Sequence, residues 1–462
     1  MKELNTRNKY CFGLGTIGRD MFYSFESNAI LYFLSHVLQQ PLWVYGAASF
    51  VLTVLRIVDA LNDPITGLII DNIRSPWGKF KPAILVGGLL SVVFYLILFG
   101  NIGTGWGFVI VFGAAYLLWD ISFGINDIAY WTLLPALTTD QKQRESNGTF
   151  SRICASIGAY SIMMGWEPIT QALGNTPQAW FWVAVAICVL YMGFLCFTLF
   201  GVKENRNIVQ RQDKTSFREM WGVLLKNDQL MWTTLSMALF MVGYVTTVNL
   251  AIYYMEYVLL DKGMYVVLVA VVGIVQLATL TAYQAIAKHF DRRQLYTLAT
   301  FLVIGGYVVF FFADMPMLLN NGLSIFVIAL GGVLAFCGQA LIQTLMLMFL
   351  ADTVEYGQWK LGKRNESITF SIQPLVNKIG GALSTGLVTA TVVLSGIKTG
   401  EKPAEFIDAT GKLVIKGSMF VLPLLCIVVG YIIYLKKFRI TEEFYAEILQ
   451  DLKDRGDIIE EQ

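Results

Sequence analysis

Long apolar stretches alternate with short polar ones along the whole chain. A helix that crosses a membrane needs about 20 mostly apolar residues, and many of these stretches reach that length. We count about twelve, at residues 11–37, 44–71, 81–101, 106–135, 150–174, 179–202, 229–259, 264–287, 294–313, 321–350, 367–396 and 415–436. The pattern predicts an all-α polytopic membrane protein with twelve transmembrane helices.

The longest polar interruption divides these stretches into two equal groups. Two six-helix halves around a midplane site are an established plan of secondary transporters. The predicted organisation is an N-terminal half at 1–202, a cytoplasmic linker at 203–228, a C-terminal half at 229–437 and a cytoplasmic tail at 438–462. The charged tail is expected to form a solvated helix.

Composition narrows the class of protein. The 462 residues are 56% hydrophobic and carry a net charge of only +1. This apolar content exceeds what a soluble core needs, which makes the lipid bilayer the expected environment. The near-zero charge argues against a nucleic-acid partner, because domains that bind nucleic acids carry a basic patch. Neither H-E-x-x-H nor G-x-S-x-G occurs, so we expect no enzyme and no bound cofactor.

Lysine and arginine are concentrated in alternate connections. They occur at 74–81, 142–144, 203–226, 288–293 and 360–364. By the positive-inside rule these connections are cytoplasmic, and both termini then lie on the same side. The first apolar stretch contains acidic residues and no A-x-A-like site, so we expect a retained first helix rather than a signal peptide.

Arg56, Asp59 and Asp63 interrupt the second apolar stretch. Residues three and four apart share a helix face, so the two carboxylates stack one turn apart with Arg56 a turn below them. Ionisable groups at bilayer depth usually line an ion or substrate pathway, and Pro64 and Gly67 loosen the helix beside them. The pattern predicts a cation site. The alternative is a structural ion pair with Arg56, which would leave one negative charge unbalanced.

Four predicted helices carry charged or amide side chains within their apolar runs. They are Arg19, Asp20, Glu26 and Asn28 on the first, Asp120, Asn126 and Asp127 on the fourth, Arg152 and Glu167 on the fifth, and Gln373, Asn377 and Lys378 on the eleventh. Such groups are expected to line one cavity, in which a bound cation could replace Lys378 as counter-charge. Glu26 and Glu167 are expected to be cavity-wall or helix-end charges.

Five segments carry a resemblance to a known family. They are GRD at 18–20, RIVDALNDPITG at 56–67, RSPWGKFKP at 74–82, NDIAYWTLLPAL at 126–137, and ADTVEYGQWKLGKRNESITFS at 351–371 followed by Gln373 and Lys378. In this order they resemble the glycoside-pentoside-hexuronide:cation symporters, the melibiose permease-like family of the major facilitator superfamily. The resemblance implies a carrier of the major facilitator fold in a bacterial inner membrane, which takes up a sugar with H⁺, Na⁺ or Li⁺.

The resemblance also implies roles for particular residues. It places Arg19, Asp20, Asp127, Trp131, Arg152, Gln373 and Lys378 at the sugar, and Asp59 and Asp63 at the cation or at the metal if Na⁺ is used. It assigns coupling or gating to Arg56, Arg144, Asp352, Arg364 and Lys378. The chemistry agrees, because a carboxylate accepts hydrogen bonds from neighbouring hydroxyls and an indole covers the apolar face of a sugar ring.

Four positions depart from the melibiose permease pattern, among them Asp120, which stands where a glycine is expected. Gly124 stands where a threonine hydroxyl near the cation is expected, and the loss of one oxygen weakens Na⁺ or Li⁺ more than H⁺. This favours proton coupling, although Asp120 could supply an oxygen instead. Gln343 replaces an expected tryptophan and Pro374 an expected threonine, so the sugar pocket is expected to differ.

The predicted function is symport of a sugar with H⁺ or Na⁺ by alternating access. The alternatives are a passive facilitator or exchanger of the same fold, and a membrane sensor that transports nothing. The sequence leaves the identity of the sugar open, since acidic and basic residues both occur among the expected pocket residues.

Overall fold

Helices make up the described part of the chain. The structure is a computed structural model, and it describes residues 2–38, 40–71, 75, 77–78, 80–137, 141–203, 222, 225–287, 289–315, 323–362, 366–397 and 407–455. Its long helices are α1 (Lys2–Tyr32), α2 (Leu42–Asp71), α3 (Lys81–Leu98), α4 (Gly105–Leu133), α5 (Gln141–Ala172), α6 (Pro177–Cys196), α7 (Asp228–Tyr253), α8 (Met264–Ile286), α9 (Arg292–Phe311), α10 (Ser324–Leu361), α11 (Glu366–Leu394), α12 (Ala409–Lys437) and α13 (Glu442–Asp454). One π-helical turn interrupts α12 at Gly417–Val421, and others extend α1, α6 and α7 at Phe33–Val37, Phe197–Gly201 and Tyr254–Val258.

Most of these helices can cross a membrane. Within the described ranges, nine are long and apolar enough to do so, namely α2 to α4, α6 to α10 and α12. Helices α1, α5 and α11 have 31, 32 and 29 residues but are less apolar. These three helices carry many of the polar residues singled out in the sequence. The all-α membrane fold is confirmed, and the nine and the three together agree with the twelve predicted helices.

Three helices extend well beyond the predicted apolar stretches, and one of them, α1, begins at Lys2 rather than at residue 11. Helix α5 begins at Gln141 rather than at residue 150, and α10 continues to Leu361 rather than ending at residue 350. Hydropathy detects only the part of a helix that suits lipid, whereas the hydrogen-bond ladder continues into polar turns. Helix α10 ends where Gly362 adopts a left-handed conformation, with φ of 69°.

Internal packing divides the chain into two compact units. Residues 1–212 with 392–407 form the first unit, and residues 213–391 with 408–462 form the second. In the first unit, α4 packs against α2 and α3, and α1 packs against α5 and α6. In the second, α10 packs against α8 and α9, and α7 packs against α12. Three of these four contacts, α2–α4, α3–α4 and α1–α6, recur after a shift of six helices, as expected of an internal repeat. The predicted limits of the halves and linker stay a prediction.

Glycines bring equivalent helix pairs close together in both units. A Cβ on Gly87 of α3 would meet the backbone of Asn126 on α4 at 2.8 Å. A Cβ on Gly306 of α9 would likewise overlap the backbone of Ala335 on α10. Small residues at such contacts allow helices to approach closely where no hydrophobic force drives them together.

The tail helix α13 is not fully solvated, so that expectation is wrong. Ile448 and Leu452 are buried in a cluster with Tyr356 of α10. The indole nitrogen of Trp359 donates a hydrogen bond to Asp451 Oδ2 at 3.0 Å. The apolar face of α13 therefore covers the end of α10.

We predict that Gly158→Ala destabilises the contact between α1 and α5. A Cβ at Gly158 would overlap the backbone oxygen of Ile17 on α1, which cannot rotate away. Overpacking of this kind costs about 1–3 kcal/mol. The measurement is the apparent unfolding temperature in detergent, with Gly165→Ala on the same helix as control, because its nearest neighbour is a side-chain carbon at 3.5 Å. Equal unfolding temperatures for the two variants would contradict this close packing.

Candidate sugar and cation sites

An ion pair with a buried arginine and a partly exposed aspartate joins α1 to α4. Arg19 donates through Nη2 to the carboxylate of Asp127. The Arg19 side chain is 5% exposed, whereas that of Asp127 is 39% exposed. The guanidinium also lies over aromatic rings of α4, 4.7 Å from the centroid of Tyr130 and 5.3 Å from that of Trp131. The pair therefore fixes Asp127 while leaving part of its carboxylate accessible.

Asp20 adds a second carboxylate beside this pair. Its Oδ2 atom is buried and has no hydrogen-bond partner among the described residues. The charges of both Arg19 and Asp127 act on it. Buried polar atoms nearly always have partners. An unmet acceptor at this position suits a hydroxyl donor from a ligand.

Trp131 lies one turn from Asp127 on α4 and is half-buried. Its ring meets Phe12 and Tyr130 edge-on, with centroids 6.3 Å away in each case. Edge contacts leave a ring face available for packing. The structure thus brings together four of the predicted sugar-binding residues: Arg19, Asp20, Asp127 and Trp131.

The remaining predicted sugar-binding residues are farther along the chain. Arg152 is exposed on α5, in the same unit. Gln373 and Lys378 are half-buried on α11, in the second unit. Pro374 lies inside that helix. Their part in a sugar site stays a prediction.

The predicted cation region has a partner that sequence reasoning missed. Glu26 was expected to be a cavity-wall or helix-end charge, but it lies within α1, is 1% exposed and forms an ion pair with Arg56. Arg19, Tyr23 and Glu26 follow i, i+4, i+7 spacing, which would have placed Glu26 on the face of α1 that carries the Arg19 site. Asp59 is half-buried on α2, three residues after Arg56.

One face of α4 connects the two candidate sites. Tyr116, Asp120, Gly124, Asp127 and Trp131 recur every three or four residues. At 1.5 Å per residue, Tyr116 at the Glu26–Arg56 pair and Asp127 at the sugar residues are about 16 Å apart along the helix. A Cβ at Gly124 would find no atom of the described residues within 4 Å, so there is open space at this position between the two sites.

The predicted gating residue Asp352 is paired within the second unit. Arg292, at the start of α9, donates to its carboxylate, and the Asp352 side chain is 8% exposed. Both residues line a pocket of about 430 Å³. The predicted network did not include Arg292. The side chains of Asp63 and Arg144, and the whole of Arg364, lie outside the described residues.

The two helical units have the architecture of the major facilitator fold. The structure is similar to a crystal structure of D-xylose-proton symporter, with a TM-score of 0.65 and 13% identity over 96% of this chain and 99% of that chain. It is also similar to the nucleoside transporter NupG, with a TM-score of 0.63 and 12% identity over 95% of this chain and 100% of that chain. At these identities the similarity shows the fold alone.

Sequence comparison identifies the family. The family model described as MFS/sugar transport protein matches residues 11–442, and the chain belongs to this family. The chain is 31% identical to a lactose permease of Lactobacillus delbrueckii subsp. bulgaricus, over 98% of this chain and 73% of that protein. It is 30% identical to a raffinose carrier protein of Pediococcus pentosaceus, over 96% of this chain and 70% of that protein. The resemblance to the glycoside-pentoside-hexuronide:cation symporters is confirmed, and the protein is a transporter rather than an enzyme.

We predict that Asp127→Ala destabilises the protein, whereas Asp20→Asn does not. Removal of Asp127 leaves the buried Arg19 charge uncompensated, which costs on the order of 2 kcal/mol for a partly exposed pair. Asp20→Asn keeps the size of the side chain and removes no described hydrogen bond. The measurement is the apparent unfolding temperature, and the double variant Arg19→Met/Asp127→Ala should recover most of the loss. If the double variant unfolds as early as Asp127→Ala, the Arg19 charge is not the cause.

Proposed function

We propose that this protein takes up a neutral galactoside together with a proton, by alternating access of its two halves. The observation that carries the proposal is the arrangement on α1 and α4, where the unmet Asp20 acceptor lies beside the Arg19–Asp127 pair and Trp131. An ionised carboxylate accepts hydrogen bonds from sugar hydroxyls, and the indole covers the apolar face of the ring.

The charges at the candidate sugar site and the names of related carriers support a neutral glycoside, rather than a hexuronide, as the substrate. Asp127 offsets the charge of Arg19, and Asp20 adds a negative charge that would repel a uronate. The lactose permease and the raffinose carrier are named for sugars that both contain galactose. A galactoside is therefore the substrate class we assign.

Coupling requires that the unloaded carrier reorient poorly. The negative charges of Asp59 and Asp63 would slow reorientation of the empty carrier. A bound cation would offset these charges and favour sugar binding. Linkage then requires the sugar to tighten cation binding by the same factor. Inward movement of one positive charge gains about 2.3 kcal/mol per 100 mV, which supports roughly fifty-fold accumulation before any cation gradient is added.

Gly124 favours the proton as the coupling ion. An alkali ion needs several oxygen ligands, whereas a proton needs one carboxylate. No side-chain oxygen of the described residues lies within 4 Å of a Cβ built at Gly124, where the melibiose permease pattern has a threonine. We place the protein in a bacterial inner membrane with both termini cytoplasmic, as the distribution of lysine and arginine favours.

We predict that a galactoside added to energy-depleted cells expressing the protein raises the external pH, because a proton enters with each sugar. The measurement follows external pH and Na⁺ while α- and β-galactosides, pentosides and hexuronides are added singly. Asp59→Asn should abolish ion movement while exchange of labelled sugar continues. Equilibration of labelled sugar with no movement of either ion in the unaltered protein would favour the passive facilitator.

We predict that Gly124→Thr makes sugar uptake respond to Na⁺. The new side chain has room, because a Cβ at Gly124 meets nothing within 4 Å, and its hydroxyl supplies an oxygen one turn from Asp120. The stimulation of uptake by Na⁺ should rise several-fold. Gly193→Thr on α6 is the control, since a Cβ there also finds no atom within 4 Å. If the response of uptake to Na⁺ is unchanged in Gly124→Thr, Gly124 does not determine which cation the carrier uses.

A further inference from the structure

Glu26 and Arg56 form a buried ion pair between α1 and α2. Arg56 Nη2 donates to Glu26 Oε1 at 2.9 Å, and Arg56 Nε donates to the Tyr116 hydroxyl at 3.0 Å. Glu26 and Arg56 are 1% and 13% exposed. Three helices thus hold one guanidinium in place: α1 through Glu26, α4 through Tyr116, and α2 through its own backbone.

Further charged and titratable groups surround this contact. Tyr23 of α1 lies in the electrostatic field of Glu26, Arg56 and Asp59. Tyr116 of α4 lies in that of Arg56, Glu26 and Asp120. Ser27 Oγ is 3.5 Å from the second Glu26 oxygen. The contact therefore belongs to the same polar region as Asp59, the first carboxylate of the proposed cation pair.

The formal charge of this region depends on Glu26. Arg56, Asp59 and Asp63 alone would sum to −1, because one positive charge opposes two negative charges. Glu26 brings the sum of these four side chains to −2, and Asp120 of α4 adds a further negative charge nearby. An arginine without Glu26 would carry the same charge as the incoming cation and would oppose its binding through the low-dielectric interior.

We propose that Glu26 is a counter-ion of Arg56, a positioning residue that offsets the arginine charge and so keeps this region net negative for the coupling cation. Glu26 itself does not bind the cation. This inference rests on the proposed cation-coupled uptake, and it adds a residue that neither the family motifs nor the comparisons assign.

The test compares charge variants in sugar counterflow. The quantity measured is the concentration of H⁺ or Na⁺ that gives half-maximal exchange of labelled sugar. Glu26→Gln should raise it about ten-fold, equivalent to about one pH unit for a proton, with the maximal rate retained. Arg56→Gln should lower it by a similar factor. The double variant Glu26→Gln/Arg56→Gln keeps the charge of −2 and should return to the value of the unaltered protein.

The double variant distinguishes this role from direct cation binding. If Glu26 were itself a cation ligand, Glu26→Gln/Arg56→Gln would stay as weak as Glu26→Gln, and the inference would be wrong. An unchanged cation requirement in Glu26→Gln would also overturn it. If Glu26→Gln fails to fold because Arg56 is left unpaired, Arg56→Gln and the double variant still decide the question.

Failure of the proposed function has a different signature. Exchange by the unaltered protein would then be independent of both H⁺ and Na⁺, which would remove cation coupling and this inference together. Cation-dependent exchange in the unaltered protein, with all three variants equal to it, would remove the inference alone.

Discussion

A charge inside a membrane protein must be offset nearby, and this requirement organises the first unit. Two arginines among its described residues are paired through α1: Arg19 lies on α1 and binds Asp127 of α4, while Arg56 of α2 binds Glu26 of α1. Helix α1 is less apolar than a lipid-facing helix because it carries these groups. Its burial against α5 and α6 keeps them away from lipid.

The two units share a packing plan but differ in chemistry. In the first, charges meet between helices at positions expected to bind ligands. In the second, a neutral network occupies the core, where Thr247 Oγ1 and Gln339 Nε2 lie 2.6 and 2.7 Å from the Tyr307 hydroxyl. Neutral hydrogen bonds join helices without the large desolvation cost of ions. A repeated backbone therefore supports ion pairs at the candidate ligand sites of one half and, in the other, a neutral network in addition to the Arg292–Asp352 ion pair.

Apolar run length was enough to predict the membrane fold, because the thickness of a bilayer sets the length of each segment. Motifs identified Arg19, Asp20, Asp127 and Trp131, which the structure brings together. Pairing was harder to foresee. Whether Glu26 meets Arg56 depends on the rotation and depth of two helices, and a linear pattern encodes neither. The buried face of α13 was missed for a similar reason. Its partners Tyr356 and Trp359 lie on the part of α10 that continues beyond the predicted apolar stretch.

Helix α4 sets the distance and the relative orientation of the residues proposed to bind the ion and the sugar. Tyr116 and Asp120 lie near one end of its polar face, and Asp127 and Trp131 lie near the other. An insertion or deletion of one residue between Asp120 and Asp127 would turn one site by about 100° relative to the other and destroy both together. Evolution of new ion or sugar preferences on this scaffold is therefore restricted to exchanges of side chains along α4, while its length between the sites stays fixed.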